Sequence, residues 1–311
     1  MKKAKYLFGP VPSRRLGLSL GVDIVDLKTC TQNCIYCQLG IDAKQTTQRK
    51  PYVDIDLVIA ELKEKISAGL VADYITISGS GEPTLNSRLG ELIEKIKKTT
   101  GIPVAVITNG TLLSDPQVRK DCSKADAVLP SLDAGDEETF EKINKPAKNI
   151  HFDDFIDGLI KFRKEFKGQF WLEVFFCKDV NTSDEQIQNI KSIVEKIHPD
   201  KVQLNTAVRP VANSSAICVN RQQMQEIAQK LANNAEVIAS FSKEIKTDTN
   251  IATQDAILEM LKRRPCSLDD ICASLGANRN EVLKTIQSLT DSKKITQEIR
   301  DKKLYFKPEL I

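Results

Sequence analysis

Three cysteines within eight residues constrain the structure of this chain more than any other feature of its sequence. The stretch "CTQNCIYC" contains Cys30, Cys34 and Cys37, with Tyr36 directly before the last thiol. Such a group can be a fragment of a disulfide framework, part of a zinc site, or three ligands of an iron–sulfur cluster. The other five cysteines are scattered along the chain.

The start of the chain predicts a cytoplasmic protein, in which thiols stay reduced. The stretch "MKKAKYLFGPVPSRR" is basic, but prolines interrupt it and no apolar run of signal-peptide length follows. No apolar run in the sequence approaches the length of a membrane span. In a reducing compartment, clustered cysteines are metal ligands or catalytic groups before they are disulfides. The formal net charge of +3 is too small to indicate nucleic-acid binding by bulk charge.

The pattern of apolar residues predicts an α/β fold. From residue 20 to about 206, short apolar runs alternate with longer amphipathic segments. Strands that alternate with helices indicate a parallel sheet with helical crossovers, so we expect a partial (β/α)6 TIM-like barrel. Functional groups should then lie at the carboxyl ends of the strands. The six predicted strands are "LGVDIV", "DYITIS", "PVAVIT", "DAVLPSLD", "QFWLEVFF" and "DKVQL".

After about residue 250 the pattern changes to three short amphipathic helices and a hairpin, which predicts a small winged helix-turn-helix domain. The second of these helices begins at Ser267, and Asp270 follows three residues later, close to a capping box. The expected organisation is a barrel over 1–210 with an N-terminal extension over 1–19, a connecting segment with a helix over 211–250, and the winged helix-turn-helix over 251–311.

The spacing of the three cysteines favours a cluster over a zinc ion. Three thiols with x3 and x2 spacing can bind three irons of a cubane [4Fe–4S] cluster and leave the fourth iron open. A structural zinc site needs four ligands. No fourth cysteine or histidine lies near the three thiols, since His151 and His198 are the only histidines and both are distant in sequence. Zinc remains the alternative at this point.

The motif "CTQNCIYC" resembles the CxxxCxΦC hallmark of the radical S-adenosylmethionine (radical SAM) superfamily, with Tyr36 as the aromatic residue. "SGSGEPTL", after the second strand, resembles the GGE motif of that family, whose backbone receives the SAM α-ammonium group. Its residues here are Ser80, Gly81 and Glu82. The resemblance implies one [4Fe–4S] cluster and SAM as cofactors. It also implies SAM contacts by Tyr36 and at strand ends, for which the candidates are Thr108, Asn109, Ser131, Asp133 and Asn205.

Within that superfamily the chain resembles a branch of small cytosolic proteins described as wyosine-tRNA-synthase-like. The likeness covers residues 6–210 and is carried by "FGPVPSRRLGLSLGVD", "PSLDAGDEETFEKINKP" and "LNTAVRP". The synthase itself joins a two-carbon unit to a tRNA guanine and uses a second cluster, built from cysteines that precede the SAM motif. No cysteine precedes Cys30 here. The resemblance therefore extends to the cofactor chemistry and not to the substrate.

Five further residues are candidates for catalysis or substrate binding. Glu173 lies among apolar neighbours, and because an unpaired buried carboxylate is costly, it should face a polar cavity or a partner. Cys177 shares its face four positions later, where a thiol could donate a hydrogen atom or attack the substrate, although buried structural cysteines are common. Arg14, Arg15 and Arg209 are possible anion contacts or ordinary surface residues.

The resemblance implies that an electron from a donor such as flavodoxin or ferredoxin enters the cluster and cleaves SAM to methionine and a 5′-deoxyadenosyl radical. That radical would abstract a hydrogen atom from the substrate. Three hypotheses about the substrate or function remain open. The first is an RNA base, suggested by the basic loop "KQTTQRK" at 44–50. The second is a peptide or protein docked on the winged helix. The third is a redox-sensing regulator that binds DNA.

Overall fold

The computed structural model describes residues 6–39, 43–208, 211, 213, 215–238, 254–275, 277, 279–300 and 303–309. In these residues the strands are β1 (Leu7–Ser13), β2 (Gly17–Val22), β3 (Thr29–Cys30), β4 (Lys44–Gln45), β5 (Tyr74–Ile77), β6 (Val104–Thr108), β7 (Ala127–Pro130), β8 (Gln169–Phe176), β9 (Lys201–Thr206), β10 (Ala235–Val237), β11 (Cys266–Ser267), β12 (Ile295–Arg300) and β13 (Lys303–Pro308). The α-helices are α1 (Ile55–Ser67), α2 (Leu89–Thr99), α3 (Pro116–Cys122), α4 (Glu137–Ile143), α5 (Phe152–Glu165), α6 (Asp184–Ile197), α7 (Arg221–Leu231), α8 (Gln254–Leu261), α9 (Leu268–Leu275) and α10 (Arg279–Asp291).

One eight-stranded sheet has the order β1-β2-β5-β6-β7-β8-β9-β10. Its strands from β2 to β10 all pair in parallel, and helices cross between them, so the predicted α/β architecture with a parallel sheet is confirmed. All six predicted strands are present. The first begins at Gly17 and ends at Val22, earlier than predicted. The reason is a hairpin that the sequence pattern did not indicate, in which β1 pairs antiparallel with β2.

Several helices begin where a short polar side chain accepts a hydrogen bond from one of the first free backbone amides. Asp54 caps α1 by accepting from the amide of Asp56, and Ser183 caps α6 by accepting from the amide of Gln186. Each such cap contributes about 1 kcal/mol to helix stability. On α1 the side chains of Ile55, Val58, Ile59 and Leu62 are buried against the sheet. This helical spacing places α1 on the outer face of the barrel.

The amino-terminal end of the barrel interior is filled with apolar side chains. Leu16, Ala105, Ala127, Leu129 and Trp171 are buried there in a small cluster. They come from the turn before β2 and from β6, β7 and β8. Because this end is closed, the open space of the barrel lies toward the carboxyl ends of the strands.

The last part of the chain has a hydrophobic core of its own, which includes Ile257, Ile271, Val282 and Phe306. Helices α8, α9 and α10 surround a three-stranded sheet of order β11-β13-β12. The predicted capping box is present, since the amide of Asp270 donates to Ser267 Oγ at 3.3 Å and the amide of Ser267 donates to Asp270 Oδ2 at 3.0 Å. These are the predicted helices and hairpin, together with the short strand β11. The assignment to the winged helix-turn-helix fold stays a prediction.

The predicted connecting segment, residues 211–250, contains the expected helix, α7. It also contains β10, which extends the large sheet by pairing with β9. Met224 and Leu231 of α7 are buried in the core of the barrel. This part of the chain therefore packs with the barrel, beyond the predicted boundary at residue 210. Residues 239–253 lie outside the described part of the chain.

The C-terminal module packs against the hairpin of β1 and β2. Val11 of β1 contacts its apolar core. Further along, Arg300 Nη2 donates to the carbonyl of Ala216 at 2.8 Å, and Tyr305 Oη donates to the carbonyl of Val208 at 3.1 Å. In the described residues, no helix combines the length and the apolar character that a membrane span requires.

Candidate functional site

A cavity of about 420 Å³ lies between the carboxyl ends of the strands, the cysteine-containing loop and the C-terminal module. This volume is within the range of sites that bind drug-sized ligands. Of the residues predicted from the sequence, those that line it are Arg14, Arg15, Cys30, Cys34, Tyr36, Cys37, Gly81, Glu82, Thr108, Asn109, Ser131, Glu173 and Asn205. Ser80, Asp133 and Cys177 do not line it. Arg209 lies outside the described residues.

The three clustered cysteines line the cavity together as free thiols. Cys30 belongs to β3, which pairs in parallel with β4. A turn then brings Cys37 back, with its amide donating to the carbonyl of Cys34 at 3.1 Å. Burial raises the pKa of Cys30 to about 12, and burial also raises the pKa values of Cys34 and Cys37. Metal binding at these sulfurs must therefore displace protons.

Nitrogen donors approach all three sulfurs, and the donor to Cys37 is the backbone amide of Leu39. Asn109 Nδ2 lies 3.5 Å and the amide of Gln32 lies 3.4 Å from Cys30 Sγ, and Asn144 Nδ2 lies 3.6 Å from Cys34 Sγ. Such donors stabilise anionic sulfur and tune iron–sulfur clusters. No three His, Cys, Asp or Glu side chains in the described ranges are arranged around one metal ion, whereas a cubane cluster places each thiolate on a separate iron. The donor set fits a [4Fe–4S] cluster held by Cys30, Cys34 and Cys37.

The aromatic residue of the motif anchors the cysteine loop to the barrel. Tyr36 stacks on Phe175, with ring centroids 4.0 Å apart, and its hydroxyl donates to Asp133. Asp133 also accepts hydrogen bonds from Asn144 Nδ2 at 2.7 Å and from the amide of Phe175 at 2.8 Å. The carboxylate of Asp133 therefore accepts three hydrogen bonds from the protein, and it does not line the cavity. The expected SAM contact at Asp133 is thus corrected to an anchoring contact, while Ser131 does line the cavity.

The backbone after β5 forms the wall of the cavity at the predicted SAM-binding loop. Ser78 and Gly79 line it together with Gly81, whereas the predicted contact Ser80 does not. The Ser80 hydroxyl donates to Asp23 Oδ2 at 2.5 Å, so this side chain points away from the cavity. A Cβ atom on Gly81 would lie 2.0 Å from the carbonyl oxygen of Thr29. Only glycine therefore allows this loop to pack against the cysteine loop.

Glu82 ties the ends of two neighbouring strands together. Its carboxylate accepts hydrogen bonds from the hydroxyls of Thr84 and Thr108, both at 2.6 Å, and from the amides of Thr84 at 3.0 Å and Asn109 at 2.7 Å. Burial raises the pKa of Glu82, and these hydrogen bonds oppose that rise. Asn109 in turn donates to Thr31 Oγ1 at 2.7 Å. Glu82, Thr108 and Asn109 therefore position the loops around the cysteines.

Glu173 lies in the cavity wall, and its carboxylate contacts other side chains of the chain. Such contacts are expected, because a buried carboxylate without a partner is costly. Glu173 forms an ion pair with Arg15 and accepts a hydrogen bond from Asn205 Nδ2 at 2.9 Å. The side chains of Arg15 and Glu173 are only 17% and 11% exposed. The predicted anion contact of Arg15 is thus made with a carboxylate of the protein itself.

The predicted position of Cys177 over the cavity is wrong. This thiol is fully buried in the hydrophobic core. Strand β8 ends at Phe176, so the alternation that would have aligned Cys177 with Glu173 stops one residue earlier. The amide of Cys177 donates to Asn181 Oδ1 at 2.8 Å, and burial raises the pKa of the thiol to about 12. It has the environment of a structural cysteine.

The C-terminal module supplies one wall of the cavity, through Met260, Arg263 and Arg264. Arg263 Cζ lies 4.4 Å from the ring centroid of Phe8, and its Nε lies 3.5 Å from Asp23 Oδ2. Asp23 also accepts from Ser80, so the end of α8 is linked to the loop at residues 78–82. These residues could not be predicted from the sequence, because a contact between two distant segments leaves no local pattern.

Known proteins of the radical SAM superfamily are similar to this chain in sequence and in fold. The model of the radical SAM superfamily matches residues 24–190. A protein of Helicobacter pylori named UPF0026 is 31% identical over 93% of this chain and 93% of its own length. A Brachyspira hyodysenteriae protein named GTPase Obg is 44% identical over 96% of this chain, and a UPF0026 protein of Methanocaldococcus jannaschii is 34% identical over 65%. The chain spans 44% and 64% of the lengths of these last two relatives.

Shorter matches include two proteins named for nucleotide or tRNA chemistry. An S-adenosylmethionine-dependent nucleotide dehydratase of Lacinutrix mariniflava is 29% identical over 43% of this chain and 29% of its own length. The tRNA 4-demethylwyosine synthase of Pyrococcus abyssi is 28% identical over 39% of this chain and 41% of its own length.

Two solved structures share the fold of the barrel. A radical SAM methyltransferase from Sphaerobacter thermophilus superposes with a TM-score of 0.53 and 15% identity, covering 70% of this chain and 66% of that chain. Streptococcus suis SuiB bound to its precursor peptide SuiA gives a TM-score of 0.51 at 15% identity, covering 70% of this chain and 48% of that chain. Both matches support the expected partial barrel.

Proposed function

This chain belongs to the radical SAM superfamily, and on that basis we propose that it cleaves SAM reductively at a [4Fe–4S] cluster in order to modify an RNA base. One observation carries the proposal: Cys30, Cys34 and Cys37 share a cavity with the loop at residues 78–82 and with the ends of β6 to β9. Members of this superfamily use a [4Fe–4S] cluster and SAM. When bound, these groups supply the 5′-deoxyadenosyl radical that abstracts a hydrogen atom from the substrate.

The residues of the chain hold and orient the two cofactors. Cys30, Cys34 and Cys37 would bind three irons of the cluster. Carbonyl groups in the loop at residues 78–82 are acceptors for the ammonium group of SAM, and Ser131 and Asn205 offer polar groups at neighbouring strand ends. Because apolar residues close the opposite end of the barrel, the same cavity keeps water away from a reactive radical.

An RNA base is the substrate class that the observations favour. The two shorter matches are named for a nucleotide dehydratase and a tRNA-modifying synthase. Lys44 and Lys50 are exposed in the basic loop beside the cysteines, where they can contact a phosphate backbone. Arg49 of that loop is committed to an ion pair with Asp121, at 2.6 Å. We also propose that a flavodoxin or ferredoxin supplies the electron to the cluster. The enzyme would act in the cytoplasm.

A peptide substrate is the second candidate, because among the described residues β12 pairs only with β13 and lies at the edge of its sheet. Peptides can add to such an edge as a further strand. The third hypothesis, a DNA-binding redox sensor, has less support. On α10, which would be its recognition helix, Arg279 is paired with Asp269 of the same module.

Reconstituted enzyme with dithionite and SAM should form 5′-deoxyadenosine, and a bulk tRNA fraction should stimulate that formation more than a peptide mixture does. Binding of tRNA should weaken strongly between 50 and 200 mM salt, as expected for phosphate contacts. Stimulation by peptide alone, with little salt dependence, would instead favour the second candidate.

A further inference from the structure

Two arginines from distant parts of the chain lie in the same cavity wall. Arg14 is in the turn between β1 and β2, and Arg264 follows α8 in the C-terminal module. Burial, and then the nearby charge of Arg264, lower the pKa of Arg14. Asp270 is close enough to oppose this effect, but its carboxylate already accepts from the amide and hydroxyl of Ser267. The wall thus holds two cationic groups that repel each other.

Within the described residues, neither Arg14 nor Arg264 forms an ion pair, whereas the two neighbouring arginines each have a carboxylate partner. Arg15 pairs with Glu173, and Arg263 lies 3.5 Å from Asp23. The guanidinium groups of Arg14 and Arg264 are therefore the ones in this wall that lack a carboxylate partner among the described residues.

The charges that line the cavity do not balance. Its basic residues are Arg14, Arg15, Lys28, Arg263 and Arg264, and its acidic residues are Glu82 and Glu173. The carboxylate of Glu82 is fully used by hydrogen bonds from hydroxyls and amides at 2.6–3.0 Å. A low-dielectric cavity with excess positive charge attracts anions.

We propose that Arg14 and Arg264 together bind a phosphate group of the substrate inside the cavity. A guanidinium group is planar, stays charged and donates two parallel hydrogen bonds to a phosphate, so two such groups suit a doubly charged anion. This assignment rests on the proposed function, since it specifies how a nucleotide unit of the RNA would be held. It also gives the C-terminal module a direct part in substrate recognition.

The test is anaerobic calorimetry on the full-length protein, reconstituted with its cluster and saturated with SAM. The ligands are inorganic phosphate and pyrophosphate, with acetate as the carboxylate comparison. Arg14→Gln and Arg264→Gln are each expected to weaken phosphate binding about tenfold, whereas Arg14→Lys and Arg264→Lys should retain more of it. Arg221→Gln is the matched control, because Arg221 is exposed at the start of α7 and does not line the cavity.

Three results would overturn the assignment. The first is no phosphate binding by the wild type. The second is equal binding by the wild type and a double variant that combines Arg14→Gln with Arg264→Gln. The third is tighter binding of acetate than of phosphate. The lysine variants keep the test valid if a glutamine variant unfolds. Formation of 5′-deoxyadenosine with dithionite, SAM and the bulk tRNA fraction is measured in parallel on the wild type. If that formation persists while phosphate does not bind, only the phosphate site is wrong. If phosphate binds and no 5′-deoxyadenosine forms, the proposed function fails instead.

Discussion

The hydroxyl of Thr108 donates a hydrogen bond to Glu82 Oε1 at 2.6 Å, which joins the end of β6 to the loop that follows β5. Both residues were predicted from the sequence as SAM contacts. In the structure Glu82 also accepts hydrogen bonds from Thr84 and Asn109, so these residues connect neighbouring loops. The loop at residues 78–82, the proposed SAM-binding loop, is thus held in place by a buried carboxylate.

Glu82→Gln should therefore lower the stability of the protein and its affinity for SAM. The new amide group would face donors, leaving at least one buried hydrogen-bonding group unsatisfied, at a cost of about 2 kcal/mol. Chemical denaturation and SAM titration measure the two effects. The exposed Glu94, paired with Lys124 on the surface, is the control, and Glu94→Gln should change little. Equal behaviour of both variants would refute the anchoring role of Glu82.

Gly81→Ala should disrupt the contact between the SAM-binding loop and the cysteine loop. The added methyl carbon would overlap the carbonyl oxygen of Thr29, which is backbone and cannot rotate away. We expect lower iron retention and weaker SAM binding, measured by iron analysis and titration. Gly101→Ala is the control, because a Cβ atom there meets no other atom within 4 Å. Normal iron retention and SAM binding in Gly81→Ala would show that the loops are not packed in this way.

Glu173→Gln should destabilise the protein by about 3 kcal/mol, because it leaves the mostly buried Arg15 without a carboxylate partner. Arg15→Met should be costly for the same reason. The double variant Arg15→Met, Glu173→Gln is expected to lose less than the sum of the single variants. Denaturation curves of all four proteins give this coupling energy. Strict additivity would mean that the two groups do not interact.

Arg263→Gln should loosen the contact between the C-terminal module and the barrel and weaken SAM binding. Its side chain is only 9% exposed and lies against Asp23, the residue that holds Ser80. Arg279→Gln provides the comparison, since Arg279 is well exposed and its partner Asp269 belongs to the same module. Limited proteolysis and SAM titration should distinguish the two variants. If SAM affinity is unchanged in both, the C-terminal module does not support the SAM-binding loop.

The sequence predicted the parallel sheet well because its strands and helices carry the regular spacing of buried residues. It did not predict β1, whose prolines and glycine obscure any alternation, or β10, which has only three residues. The first strand was misplaced for the same reason, since its boundary depends on pairing with β1. The spacing of apolar residues within one segment does not show which distant segment that strand pairs with.

The site was predicted most accurately where a short motif fixes several residues at once, as around the cysteines. Single residues at strand ends were predicted less well. Asp133 and Cys177 follow their strands closely, yet both turn away from the cavity because the strands β7 and β8 end before them. Arg263 and Arg264 could not have been found, because their place in the cavity depends on how two modules pack.

The most direct test of this account is the formation of 5′-deoxyadenosine by the anaerobically reconstituted enzyme, measured with iron content for the wild type and four variants. Cys30→Ala, Cys34→Ala and Cys37→Ala should each lose the [4Fe–4S] cluster and the product. Cys272→Ala, which removes a thiol outside the cavity, should keep both. Product formation that persists in any of the first three variants would contradict the assignment of the cluster and with it the proposed chemistry.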